Sequence, residues 1–188
     1  MNHSFSVALC LVLAFVLEGC THGIQSGTGG WPPATSTAPP AGISSSGSVV
    51  KLRAADVSIP AGGNADAIVT LSISPGYHIN ANPATFPYLI ATEVKPSVEP
   101  DEPLGAGKPL YPVGIKKKFI FAEQPLSVYE GDVAVTLPLH LPRSNEAYIH
   151  PGKGARLSLP IEVRVQACDS EKCYAPDTLK TTIAVDVK

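Results

Sequence analysis

The sequence predicts an all-β fold, an immunoglobulin-like antiparallel β-sandwich, over residues 49–188. Three observations carry that expectation. Short apolar runs alternate with polar residues at a period of two, Pro, Gly and Asn punctuate them at close intervals, and no window shows a helical period with caps. Roughly seven or eight such runs in about 140 residues suit a two-layer sandwich around one core.

Residues 50–59 supply the first strand candidate, followed by a run in which Ala67, Val69, Leu71 and Ile73 fall on one face. Residues 88–94 and 115–121 are shorter candidates. Val133, Val135, Leu137 and Leu139 form the next one-sided run, then Leu157, Leu159, Ile161, Val163 and Val165, and last Ile183, Val185 and Val187. Pro138 and Pro160 fall inside these runs. Proline gives a ladder no N–H, so both are expected at edges or bulges.

The 188 residues are 44% hydrophobic and 16% charged with a formal net charge of -2, enough for one ordinary core. That balance argues against nucleic acid, which needs concentrated Lys and Arg to neutralise phosphates. The one basic cluster, Lys116-Lys117-Lys118, reads as a solvated strand face or a blunted sheet edge.

Residues 1–20 read as a signal peptide, because the apolar run over residues 7–17 is far shorter than the roughly 20 residues that span a bilayer. Leu17-Glu18-Gly19-Cys20 resembles the bacterial lipobox, which implies a lipid on Cys20 and a periplasmic protein anchored to an envelope membrane; plain secretion is the alternative. Residues 21–48 are rich in Gly, Ser, Thr and Pro with almost no charge, the composition of a flexible tether. Random-coil scaling gives such a tether a reach of roughly 30 Å.

Outside the leader and Cys20, the chain has two cysteines, Cys168 and Cys173. In residues 156–168 the apolar side chains take the odd positions, so Cys168 is expected on the polar, outward side of its strand. The four residues between the pair can turn the chain back antiparallel and bring the sulfurs within bonding distance near the rim. Closing a ring of about six residues yields roughly 2 kcal/mol from loop entropy, against about 4.7 for a ring near 100 residues. The pair is therefore a poor staple and points to redox exchange, with a passive bridge as the alternative. Metal capture by the reduced thiols would need His78, His140 or His150, none of which is near the pair in sequence. Neither a metal nor any other cofactor is expected.

Asp169 and Glu171 disfavour a thiolate, whereas Lys172 adjoins Cys173 and favours one. Cys173 is thus the expected exchanging sulfur and Cys168 the resolving one. Tyr174 and Pro176 shape the returning strand, and Tyr174 can also shield the sulfurs.

Four stretches resemble the amino-terminal periplasmic domain family of the thiol:disulfide interchange protein DsbD: Pro75-Gly-Tyr-His-Ile-Asn-Ala-Asn-Pro83, Tyr111-Pro-Val-Gly-Ile-Lys-Lys-Lys-Phe119, Leu126-Ser-Val-Tyr-Glu-Gly131 and Gln166-Ala-Cys-Asp-Ser-Glu-Lys-Cys-Tyr-Ala-Pro176. The resemblance implies an immunoglobulin-like fold whose cysteine pair passes electrons from a membrane donor to thioredoxin-fold partners, with the second cysteine making the mixed disulfide. It also implies a loop that covers the sulfurs, with Tyr111 and Pro112 as its counterpart, and Tyr77 and His78 as flanking residues. The pair is one residue closer together than in the best-known member, and the 188 residues include no transmembrane conduit or thioredoxin-like domain. The expectation is a monomer that receives electrons from a separate protein; the alternative is a non-catalytic immunoglobulin-like binding lipoprotein with a structural disulfide.

Overall fold

The computed structural model describes residues 44–98, 103–142 and 151–188. The leader, Cys20 and most of the tether lie outside the described residues, as does His150. In chain order the strands are β1 (Val50–Ala54), β2 (Val57–Ile59), β3 (Asn64–Ile73), β4 (His78–Asn80), β5 (Glu93–Pro96), β6 (Gly105–Ala106), β7 (Ile115–Lys117), β8 (Leu126–Tyr129), β9 (Asp132–His140), β10 (Arg156–Val165), β11 (Ala167–Cys168) and β12 (Asp177–Val187). They form three four-stranded sheets, ordered β1-β3-β9-β6, β2-β12-β10-β5 and β11-β4-β8-β7. The fold is all-β and sandwich-like, and among the described residues the one helical element is a 3-10 turn at Ser46–Ser48. Every strand pair is antiparallel except β12 with β2.

The long strands follow the period-two pattern. Val69, Leu71, Val135, Leu137, Leu159, Val163, Ile183 and Val185 are all fully buried, and they belong to one cluster that the first two sheets share. The third sheet adds Ile79, Tyr129 and Ala167 to that cluster, and β8 with the segment after β7 holds a smaller one, Phe119, Leu126 and Val128. The turn into the third sheet is legible: Tyr77 N–H bonds Ser74 O across Pro75 and Gly76, and Gly76 takes a φ of 86° that a side chain would resist.

Several expectations change. Residues 50–59 make two strands rather than one, and of residues 88–94 only the last two enter a strand, with Tyr88 exposed in a loop. In the 115–121 run the strand stops at Lys117, on an exposed sheet edge. Pro138 and Pro160 lie in interior strands, not at edges. Their carbonyls accept from Gly107 and Ser97, so the missing N–H of each points toward the short neighbours β6 and β5, where pairing lapses, and spares the long ladders. Ser46–Ser48, placed in the tether by composition, is ordered against the domain.

Leu137 is fully buried, and Leu137→Ala should cost about 2–5 kcal/mol in urea unfolding, whereas exposed Lys51→Ala should stay within about 0.5 kcal/mol.

Candidate functional site

Cys168 and Cys173 are joined by a disulfide with an S–S distance of 2.03 Å and a Cα–Cα distance of 3.9 Å. The two residues also pair as an antiparallel bridge, flanked by Tyr174 N–H to Ala167 O at 2.8 Å and Asp169 N–H to Lys172 O at 2.9 Å. The hairpin is held by its backbone as well as by its sulfurs. β10 ends at Val165, and Gln166 bridges outward, accepting from Asn80 Nδ2 and donating to Tyr174 O, both at 3.4 Å. The next two residues leave the β10 sheet and pair with β4, setting Ala167 opposite Ile79 and Cys168 opposite His78.

This switch corrects the expected exposure of Cys168. Strand parity does turn it away from the main core, which takes Ala167 and Ile79. That outer face is nevertheless covered, since His78 lies beside Cys168 and the Phe119 ring stacks on the imidazole at 4.0 Å and 19°. Cys168 is 0% exposed. Cys173, on the returning chain, is only partly buried, so the bonded sulfurs belong to an inner and an outer residue.

Asp169 organises the loop. Its Oδ1 accepts the Glu171 and Lys172 N–H groups, both at 2.8 Å, and its Oδ2 accepts the Tyr174 hydroxyl. The phenol's hydrogen bond, followed by those amides, holds the Asp169 carboxyl below its usual range. The same contact pushes the Tyr174 phenol up to about 12. The negative charge that sequence alone sets against a thiolate is thus tied up within the loop. Lys172 Nζ lies 5.6 Å from the Tyr174 ring centroid, and the Tyr77 ring lies 6.0 Å from the same ring.

Ser46 anchors the loop from the other side. Its hydroxyl donates to Ala175 O at 2.6 Å and accepts Ala167 N–H at 2.8 Å, fully buried. His78 is 2% exposed, and its Nε2 finds no hydrogen-bond partner among the described residues. Such an orphaned group costs about 1–3 kcal/mol. Burial, ahead of the opposing influence of Glu130, lowers the imidazole's pKa to about 4. Gly76, His78, Lys117, Phe119, Ile120 and Ser170 border a small pocket of about 150 Å³ on this face.

The sequence profile described as "Thiol:disulfide interchange protein DsbD, N-terminal" matches residues 48–184. The chain belongs to that family. Among solved structures, the reduced DsbD amino-terminal domain of Neisseria meningitidis is similar at 19% identity, over 66% of this chain and 80% of its own, with a TM-score of 0.41. The amino-terminal periplasmic domain of ScsB from Proteus mirabilis is similar at 12% identity, over 73% of this chain and 45% of its own, also with a TM-score of 0.41. No curated protein matches the sequence significantly.

Within this DsbD-family domain the structure brings together Cys168, Cys173, Tyr174, Tyr77 and His78. Tyr111 and Pro112 make other contacts. The Tyr111 hydroxyl accepts Val94 N–H at 2.8 Å, Pro112 O accepts the Tyr129 hydroxyl at 2.9 Å, and both residues line an open groove of about 550 Å³ with Asn82 and Pro83. The ring stacked over the site is Phe119, which sequence reasoning passed over as the end of a strand. His140 lies on β9 opposite Asn64 and Gly105, in a different sheet from the pair. Among the described residues, no group of three or more His, Cys, Asp or Glu could hold a metal ion.

Asp169→Asn should lower the Tyr174 phenol from about 12 toward its ordinary value near 10, read by ultraviolet titration against a Tyr77→Phe control. For His78 the folded pKa lies below the unfolded one, so its neutral form stabilises the fold fully above about pH 6.5. That contribution is lost as pH falls toward about 4. Urea unfolding of the oxidised domain should therefore weaken across that window, and His78→Phe should flatten this part of the profile.

Proposed function

We propose that this domain is a periplasmic thiol:disulfide exchange module that relays reducing equivalents between thioredoxin-fold proteins through Cys168 and Cys173. The observation that carries this reading is the asymmetry of the bonded pair: Cys168 is fully buried and Cys173 partly exposed. A thiolate from a docked partner can reach the outer sulfur first. It attacks Cys173 Sγ, the Cys168–Cys173 bond breaks, and Cys168 leaves as the thiolate that later takes a proton. The partner's second thiol then releases Cys173, so two electrons and two protons have passed to the domain. Run in the other direction, the same steps spend them on a partner's disulfide.

The covering role that the resemblance gives to Tyr111 and Pro112 goes here to Phe119 and its neighbours. Phe119 lies on the Cys168 face, and the adjoining Ile120 is 86% exposed, an apolar handle that a docking protein can displace. Lys172, next to Cys173, favours the thiolate on the outer sulfur, and the Asp169 carboxylate stays charged but is engaged by hydrogen bonds within the loop. The leader would direct export, the lipid on Cys20 and the tether would hold the module at an envelope membrane, and a membrane donor would supply the electrons.

A titration of the disulfide against dithiothreitol, quenched by thiol alkylation, should give a midpoint more oxidising than about -300 mV, the upper limit of structural bridges. A midpoint below that value would reject the exchange reading in favour of a brace.

A further inference from the structure

His78 is a titratable side chain of the site that the exchange steps leave without a task. Register places it directly across from Cys168, and cross-strand neighbours in such a pair have Cβ atoms about 4.5–5.5 Å apart on the same face. The ring is 2% exposed, stacked under Phe119, and its Nε2 has no partner among the described residues. A packing histidine in a core ordinarily satisfies both ring nitrogens. Here the missing partner matches the oxidation state: a sulfur in a disulfide has no proton to give, whereas a reduced Cys168 has one.

We propose that His78 Nε2 is the proton acceptor for Cys168, taking the thiol proton as Cys168 resolves the mixed disulfide on Cys173. This inference rests on the exchange reading above. In the first step the Cys173 thiolate attacks a partner disulfide, one partner sulfur leaves as a thiolate, and Cys173 carries the other. In the second, the Cys168 S–H gives its proton to Nε2, the Cys168 sulfur attacks Cys173 Sγ, and the bond from Cys173 to the partner breaks. The imidazolium then returns the proton to the departing thiolate, which leaves the domain oxidised and the partner doubly reduced. Burial keeps the imidazole neutral at physiological pH, so one ring nitrogen has a free lone pair, but it also lowers the ring's pKa to about 4 in the disulfide form. The imidazolium therefore forms only together with the Cys168 thiolate, whose negative charge beside the ring offsets the burial. Its charged neighbours are Glu130 and Asp169, which favour the transient imidazolium, and Lys117, which opposes it.

The test uses the full chain with Cys10→Ser and Cys20→Ser, reduced, desalted and mixed by stopped flow with 5,5′-dithiobis(2-nitrobenzoate). Cys173 attack releases one thionitrobenzoate and Cys168 resolution releases the second, giving two phases. His78→Phe, which keeps an aromatic ring under Phe119, and His78→Gln, which keeps a polar group but no base, should both leave the first phase within about twofold. Both should slow the second phase at pH 7 at least roughly tenfold, as loss of a general base does. The deficit should shrink as pH rises toward about 10, where the thiol ionises unaided. A second phase at the wild-type rate in both variants, or a deficit equal at every pH, would overturn the role of His78 while leaving the exchange reading intact. Absence of the first phase in the parent protein would remove both.

Discussion

The site depends on a two-residue strand changing sheets. Val165 ends a ten-residue ladder with β12, and three residues later Cys168 is paired with His78 in the third sheet. This shift sets Cys168 on a face roofed by an aromatic ring and leaves Cys173 on the outer limb of the hairpin. Without the switch, Cys168 would continue the polar face of β10, and neither sulfur would be sheltered.

Magnitudes favour a bond that can open without unfolding the domain. The ring is small, so its entropic contribution is only about 2 kcal/mol. The hairpin also has two flanking backbone hydrogen bonds, three bonds to the Asp169 carboxylate and the Ser46 clamp on Ala167 and Ala175. The main core cluster is drawn mostly from the two long sheets and includes neither cysteine. Reduction is therefore expected to leave the loop largely where it is, as the proposed exchange requires.

Much of this was legible in the sequence because period two is a strong signal on long strands: Ala67 to Ile73, Val133 to Leu139 and Leu159 to Val165 all bury the side that alternation assigns them. The cysteine hairpin was legible too, through its four polar intervening residues. The exposure of Cys168 was not, because parity tells which side of a strand a residue takes, not whether a segment 49 residues earlier in the chain, at Phe119, covers that side. Phe119 itself follows three lysines and looks like the tail of an edge strand, so only its stack on His78 reveals its place. Ser46 was hidden for a related reason: it lies in a low-complexity stretch, and its two hydrogen bonds reach residues 121 and 129 positions away.

The central claim is that the outer sulfur, and not the inner one, meets the partner. Incubating the oxidised domain with a reduced thioredoxin whose resolving cysteine is replaced by serine would trap the covalent intermediate, and peptide mass mapping would locate the link. The account predicts that thioredoxin is attached to Cys173 with Cys168 free as a thiol. Attachment through Cys168, or no adduct under conditions in which the domain stays folded, would contradict it.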